Sequence, residues 1–193
     1  MTQAIPGCAL LLVDVISDFS FDGGADLLRH ARRVAAPIAA LRRRLKRHGV
    51  PIIYANDNRG EWRSDFRKLV LDCAREGAGA DVVRTFVPDE DDYFILKPKH
   101  SPFFATPLAL LLQDLSVDTL VICGFAGDGC VVAAATDAHM RDYRVFVPSD
   151  GIASETPARN RRALTHLRDA LEVDVRPSAE LTPRLLRGKP RER

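Results

Sequence analysis

The stretch VDTLVICGFAGDGCVVAAATDAHMRDY, residues 117–143, changes pattern in its middle, and that change decides the fold. Residues 117–125 form a short apolar run rich in β-branched side chains, which reads as a buried strand. From residue 130 onward the chain is alanine-rich and long enough for a helix. A glycine-rich turn joins the two. Cys130 then falls in the first helical turn, beside N–H groups with no intrahelical partner and at the positive end of the helix dipole. Such a position favours thiolate over thiol. The competing reading is a cysteine that merely fills space, and the rest of the chain has to decide between them.

The same handover recurs along the chain. CALLLVDV (8–15) is an apolar strand ending at Asp14. GADLLRHARRVAAPIAALRRRLKRHG (24–49) follows as a helix with Val34, Ile38, Leu41 and Leu45 on one face and Gly49 as its stop. Pro37 is expected to kink or divide it, and its arginines read as a solvated opposite face. VPIIYAND (50–57) is a second strand and residues 61–77 a second helix. After a loop come a strand in DYFILK (92–97), a helix in TPLALLLQDLSV (106–117), the strand TLVICGF (119–125) and the helix 130–142. YRVFVPSD (143–150) is a fifth strand, residues 156–173 a last helix, and VDVRP (173–177) a possible short sixth strand. Short apolar strands alternating with helices indicate a mostly parallel five- or six-stranded sheet covered on both faces. The expected fold is a Rossmann-like three-layer α/β/α sandwich. One domain is expected over residues 1–186, with a disordered basic tail, RGKPRER, at 187–193.

With 193 residues the chain is long enough for one substantial core and short for two. A formal charge of +2 gives no footprint for nucleic acid. No apolar run approaches the ~20 residues of a membrane span, and the N-terminus lacks the basic region of a signal peptide. The four cysteines, Cys8, Cys73, Cys123 and Cys130, have no metal-ligand spacing and are too few for a disulfide scaffold. A reducing cytoplasm is the expected setting.

Ligands of such sheets bind at the carboxyl ends of the strands. Asp14 ends the first strand, Lys97 the third, and the turn after the fourth leads to Cys130, so all three face one edge. Singly, an aspartate there caps a turn and a lysine is a solvated charge. Together they can do chemistry: a carboxylate can take the thiol proton, and a cation can hold the carboxylate and favour the thiolate. The N–H groups of the turn FAGDGC can receive a developing oxyanion, worth about 3–4 kcal/mol for one well-placed donor.

ALLLVDVISDF (9–19), ILKPKHSPFFATPLALLL (95–112) and residues 121–154 resemble the three signature blocks of the isochorismatase-like cysteine hydrolases. The likeness runs from about residue 8 to residue 172. It implies a catalytic triad of Asp14, Lys97 and Cys130. It further implies a cis peptide at Phe125–Ala126 and an oxyanion hole built from Ala126 and Cys130. A homodimer or homotetramer acting on a small molecule is implied as well. Two departures stand out. Gly127 replaces a frequent threonine, which should loosen the turn, and Ile16 replaces a frequent glutamine. The nicotinamidases of this superfamily hold a metal after the second strand with an aspartate and two histidines. Here YANDNRGEWRSDF (54–66) has no histidine, and Asp57 alone is a poor metal site, so neither metal nor cofactor is expected.

Phe19, Trp62 and Phe104 fall in segments that line the pocket of similar proteins, or they are simple packing residues. Arg59 and Arg63 suit a substrate carboxylate, or are solvated or in a subunit contact. The leading functional reading is an amidohydrolase cleaving a C–N bond of a small amide or ureido compound through a thioester. The alternatives are vinyl-ether hydrolysis of an isochorismate-like compound, which needs no cysteine, and a nucleotide- or phosphate-binding module built on GFAGDG.

Overall fold

β1, Cys8–Val13, is buried along its whole length because a strand pairs with each of its edges. On one side lies β2 (Ile52–Asp57), with Leu10 opposite Ile52 and Val13 opposite Ala55. On the other lies β4 (Thr119–Phe125), with Cys8 opposite Thr119 and Val13 opposite Gly124. β3 (Tyr93–Lys97) adds outside β2, and β5 (Arg144–Phe146) outside β4. The computed structural model describes residues 4–58, 60 and 65–187. Its sheet has the order β3-β2-β1-β4-β5, every pair parallel, with the two-residue β6 (Ile152–Ala153) continuing alongside the end of β4.

Side chains two apart on a strand share a face, and the two faces bury different helices. Leu10 and Leu12 pack with Ile38, Leu41 and Leu45 of α1 (Gly24–Arg47), and with Phe66 and Leu69 of α2 (Phe66–Arg75). Ala9, Leu11 and Val13 face the other way. They pack with Leu108 and Leu112 of α4 (Leu108–Asp114), Ala134 and Ala138 of α5 (Val132–Met140), and Leu167 of α6 (Pro157–Leu171). This is the expected three-layer arrangement. Among the described residues, no helix is long and apolar enough to cross a membrane.

Four details differ from expectation. Pro37 does not divide α1, which continues to Arg47 on a face anchored by Ile38, Leu41 and Leu45. The arginine face of α1 is not simply solvated. Arg42 is buried and pairs with Asp89 and Asp92, and Lys46 pairs with Asp89, Asp91 and Asp92, tying α1 to the turn before β3. A short helix, α3 (Ala80–Thr85), occupies a segment that reads as loop, because Val82 and Val83 reach the core. The sixth strand is β6, while the region near 173–177 contributes a single bridge, Phe146 to Asp174. A last short helix, α7, spans Pro183–Leu186, and only Arg187 of the basic tail lies within the described residues.

The chain leaves β1 for β2 and β3 on one side, then returns past β1 to build β4 and β5 on the other. The order therefore reverses between β1 and β4. In open parallel sheets, the crevice at such a reversal is where ligands bind.

Candidate active site

Asp14 stands one residue beyond β1, at this reversal. Its backbone is left-handed (φ 52°), and its N–H still bonds the Ala55 carbonyl at 2.9 Å. The turn lifts the side chain over the sheet edge. There Oδ1 accepts from the Asp57 N–H at 2.8 Å, and Oδ2 lies 2.9 Å from Lys97 Nζ.

Lys97 closes β3, in register with Asp57. Strands repeat every ~4.8 Å, so β3 lies about two spacings from β1. A four-methylene stem laid past the end of β2 covers that distance, and the Lys97 side chain is fully enclosed. Besides Asp14, its ammonium reaches the Lys99 carbonyl at 3.3 Å, Cys130 Sγ at 3.5 Å and an Asp57 oxygen at 3.8 Å.

Cys130 is carried by a π-helical turn, Gly127–Val131, rather than by the first turn of an ordinary helix. Val131 N–H bonds the Ala126 carbonyl five residues back. Two features shape the approach to this turn. Gly124 has φ 136°, and a Cβ there would lie 1.9 Å from the Val13 carbonyl oxygen, so β4 and β1 approach closely because residue 124 has no side chain. The turn itself is clamped from α6. Ser154 Oγ accepts the Asp128 N–H and donates to Asn160, and the Asp128 carboxylate pairs with Arg159.

The expected cis peptide at Phe125–Ala126 is absent: the bond is trans, and Ala126 is extended (φ −67°, ψ 129°). A non-proline cis bond costs about 3–4 kcal/mol, and the unusual backbone conformation just before it is taken by Gly124, at φ 136°. Nor is the turn loosened by Gly127. A Cβ there would lie 2.8 Å from Asn160 Oδ1 and 2.9 Å from Ser154 Oγ, so α6 already fills the space of the missing side chain.

The electrostatics also correct one expectation. Burial, then the neighbouring Asp14 carboxylate, push the Cys130 thiol up to about 12 against the pull of Lys97. Burial also raises Asp14, although Lys97, Cys130 and the Asp57 N–H favour its charged form. For Lys97, burial works against the charge, but Asp14, Cys130 and Asp57 outweigh it and raise the group. The thiol is thus held protonated beside Asp14 and the Lys97 ammonium. A carboxylate with a raised proton affinity is a better base.

Asp14, Lys97 and Cys130 therefore meet, and Ala126 and Cys130 stand in the turn where an oxyanion hole is expected. The pocket assignments fare differently. Phe19 is buried, its ring 6.0 Å from that of Phe125 and wedged against Gly79, so it packs in the core rather than lining an open pocket. Apolar contact on both sides of the ring holds it inward. Phe104 is 57% exposed in the loop after β3. Arg59, Trp62 and Arg63 lie outside the described residues. The sequence reading missed His100, whose Nδ1 is 3.4 Å from Cys130 Sγ. Its signal was its place three residues after Lys97, within a signature block.

The fold and this cluster define a three-layer α/β protein with a thiol, a carboxylate and a buried ammonium gathered at one topological switch point. The chain belongs to the isochorismatase family of hydrolases: the model of the isochorismatase domain matches residues 8–179. It is 38% identical over 167 residues to the isochorismatase family protein YaaI of Bacillus subtilis, covering 86% of this chain and 92% of that protein. Enterobactin synthase component B of Escherichia coli is 32% identical over 154 residues, 77% of this chain; the matched part is 53% of that longer protein. Among solved structures, a pyrazinamidase/nicotinamidase from Streptococcus mutans superposes with a TM-score of 0.69 at 26% identity, covering 87% of this chain and 99% of that one.

Proposed function

We propose that the protein is a cysteine hydrolase that cleaves a C–N bond of a small amide or ureido compound. The observation that carries this reading is the Cys130 sulfur lying within 3.5 Å of the Lys97 ammonium that also holds Asp14. Asp14 takes the thiol proton as sulfur attacks the carbonyl carbon. Protonated Asp14 then gives the proton to the departing nitrogen, and the C–N bond breaks to leave a thioester on Cys130. Water, deprotonated by Asp14, attacks the thioester and releases the acid and the thiol. Lys97 keeps its charge throughout and holds Asp14 in place. Backbone N–H groups of the 126–130 turn, those of Ala126 and Cys130 first, face the developing oxyanion. The likeness to a pyrazinamidase/nicotinamidase supports an amide substrate.

A panel of small amides and ureido acids, scored by ammonia release, tests the reading. Cys130→Ala should abolish turnover, and Asp14→Asn should abolish thioester formation, followed by intact-protein mass spectrometry. Full activity in either variant overturns the mechanism. The second reading, vinyl-ether hydrolysis, is supported by the isochorismatase domain match itself. It predicts that turnover of an isochorismate-like compound survives Cys130→Ala and is lost in Asp14→Asn.

A further inference from the structure

Among the described residues, the Cys130 thiol has one hydrogen to donate and two acceptors in reach. Asp14 is one of them. It is already engaged by Lys97 on one oxygen and by the Asp57 N–H on the other, and its side chain is only 16% exposed. His100 Nδ1, at 3.4 Å, is the other, and it lies on the exposed side of the sulfur. With its hydrogen on Nε2, the neutral imidazole presents a lone pair to the thiol.

The loop carrying His100 is not loosely placed. Ser101 Oγ donates to Asp137 of α5 at 2.5 Å and accepts the Phe103 N–H, and Asp137 is held in turn by Arg141. Buried Phe103 plugs the same loop into the core beneath α4 and α5. The histidine is therefore fastened, through its neighbour, to the helix that follows the nucleophile.

We propose that His100 is a second catalytic acid–base residue of the site, sharing the Cys130 proton with Asp14 and offering a parallel route by which it exchanges with solvent or the leaving group. The S–H bond breaks and an N–H bond forms at Nδ1, giving a thiolate–imidazolium pair. When sulfur bonds to the carbonyl carbon, the Nδ1 proton passes to the departing nitrogen and the imidazole returns to neutral. Asp14 and Lys97 are both fixed by partners within the fold, which suits them to set the charge around sulfur. His100 links that charge to water. Among the described residues, the charged groups nearest the pair are Asp14 from the end of β1, Asp57 from β2 and Lys97 from β3, with Asp137 of α5 and Arg141 just beyond it holding the neighbouring Ser101. Asp128, in the turn itself, is occupied by Arg159.

This inference rests on Cys130 being a nucleophile, and its test needs no substrate. The rate of iodoacetamide labelling at Cys130 is followed from pH 5 to 9 in the full chain. Peptide mass spectrometry separates it from Cys8, Cys73 and Cys123. The wild-type rate should rise between pH 5 and 9. In His100→Gln that rise should vanish and labelling at pH 7.5 should slow by about tenfold or more. A wild-type profile with no rise in that range overturns the proposal, as does a His100→Gln profile that superposes on it. Circular dichroism checks folding, which an exposed residue is not expected to disturb, and His100→Asn serves as the second variant. If no amide is ever turned over while the His100-dependent rise is present, the amidase reading fails and this one stands.

Discussion

Lys97 Nζ lies 2.9 Å from Asp14 Oδ2 with no part of the lysine side chain exposed to solvent. A buried pair of this kind is poor evidence of stability in itself, because desolvating two charges offsets their attraction. Breaking it from one side is different, since the surviving charge stays buried and uncompensated.

Lys97→Met should therefore cost about 3–5 kcal/mol in urea unfolding. Adding Asp14→Asn should recover part of that loss, because the double variant no longer buries a lone charge. A double variant no more stable than Lys97→Met would show that the two groups are not coupled.

The thiol gives a second, pH-dependent signature. Cys130 titrates at 9.0 when unperturbed and is pushed up to about 12 in the folded chain. The folded state thus holds this proton more tightly than the unfolded chain does. The corresponding stabilisation is fully present below pH 9 and is lost as pH rises toward 12. Cys8, also pushed up to about 12, acts in the same direction. Urea midpoints between pH 8 and 11 should fall more steeply for wild type than for Cys130→Ala. Parallel curves would mean that the thiol is not held in the environment described.

Two glycines at the turn leading to Cys130 should respond unequally to alanine. At Gly124 the new Cβ meets a backbone carbonyl at 1.9 Å and a φ of 136°, neither of which can yield, so the loss should exceed about 3 kcal/mol. At Gly127 the obstacles are the ends of the Asn160 and Ser154 side chains, which can move, and about 1–3 kcal/mol is expected. Equal or reversed losses in chemical denaturation would contradict the close β1–β4 approach.

Arg159 tests the clamp on the turn. Its side chain is 40% exposed, so Arg159→Met should change stability by no more than about 1 kcal/mol. Its effect on the reaction should be larger. Freed from its partner, Asp128 no longer pins the turn that presents Cys130, and kcat should drop on the order of 10- to 100-fold with KM little changed. The acid limb should move as well. Burial alone would raise Asp128, but the hydrogen bonds from Arg159 and Ser154 outweigh it and hold the group low. That contribution is present above the ordinary value of 3.8 and is lost as pH falls through the lowered one. Without the guanidinium, less stability remains to be lost on acidification.

How far the sequence could be read depended on how local each decision is. The apolar runs 8–13, 52–57, 93–97 and 119–125 announce buried parallel strands because both faces must be covered. The ends of these runs then mark the candidate edge: Asp14 follows the first, Lys97 closes the third, and the turn after the fourth leads to Cys130. Helix α3 and strand β6 escaped it. Six residues and two residues, respectively, are too short to show a period, and their burial comes from distant partners. Phe19 stayed open between pocket and packing for the same reason: whether an aromatic ring lines a pocket or a core depends on what packs against it.

The amino-acid order by itself determined the layer architecture, the sheet edge that carries the candidate site and the residue types brought to it, since these follow from local periodicity and from where each apolar run stops. Only the tertiary structure decided that β3 lies outside β2, so that Lys97 must cross a neighbouring strand to reach Asp14. It likewise decided that the 125–126 peptide is trans, that α6 grips the turn, that the thiol is held protonated, and that His100 stands against the sulfur. Strand order is a choice among long-range pairings. The proton affinity of a group depends on its burial and on charges within a few ångströms, and sequence spacing encodes neither.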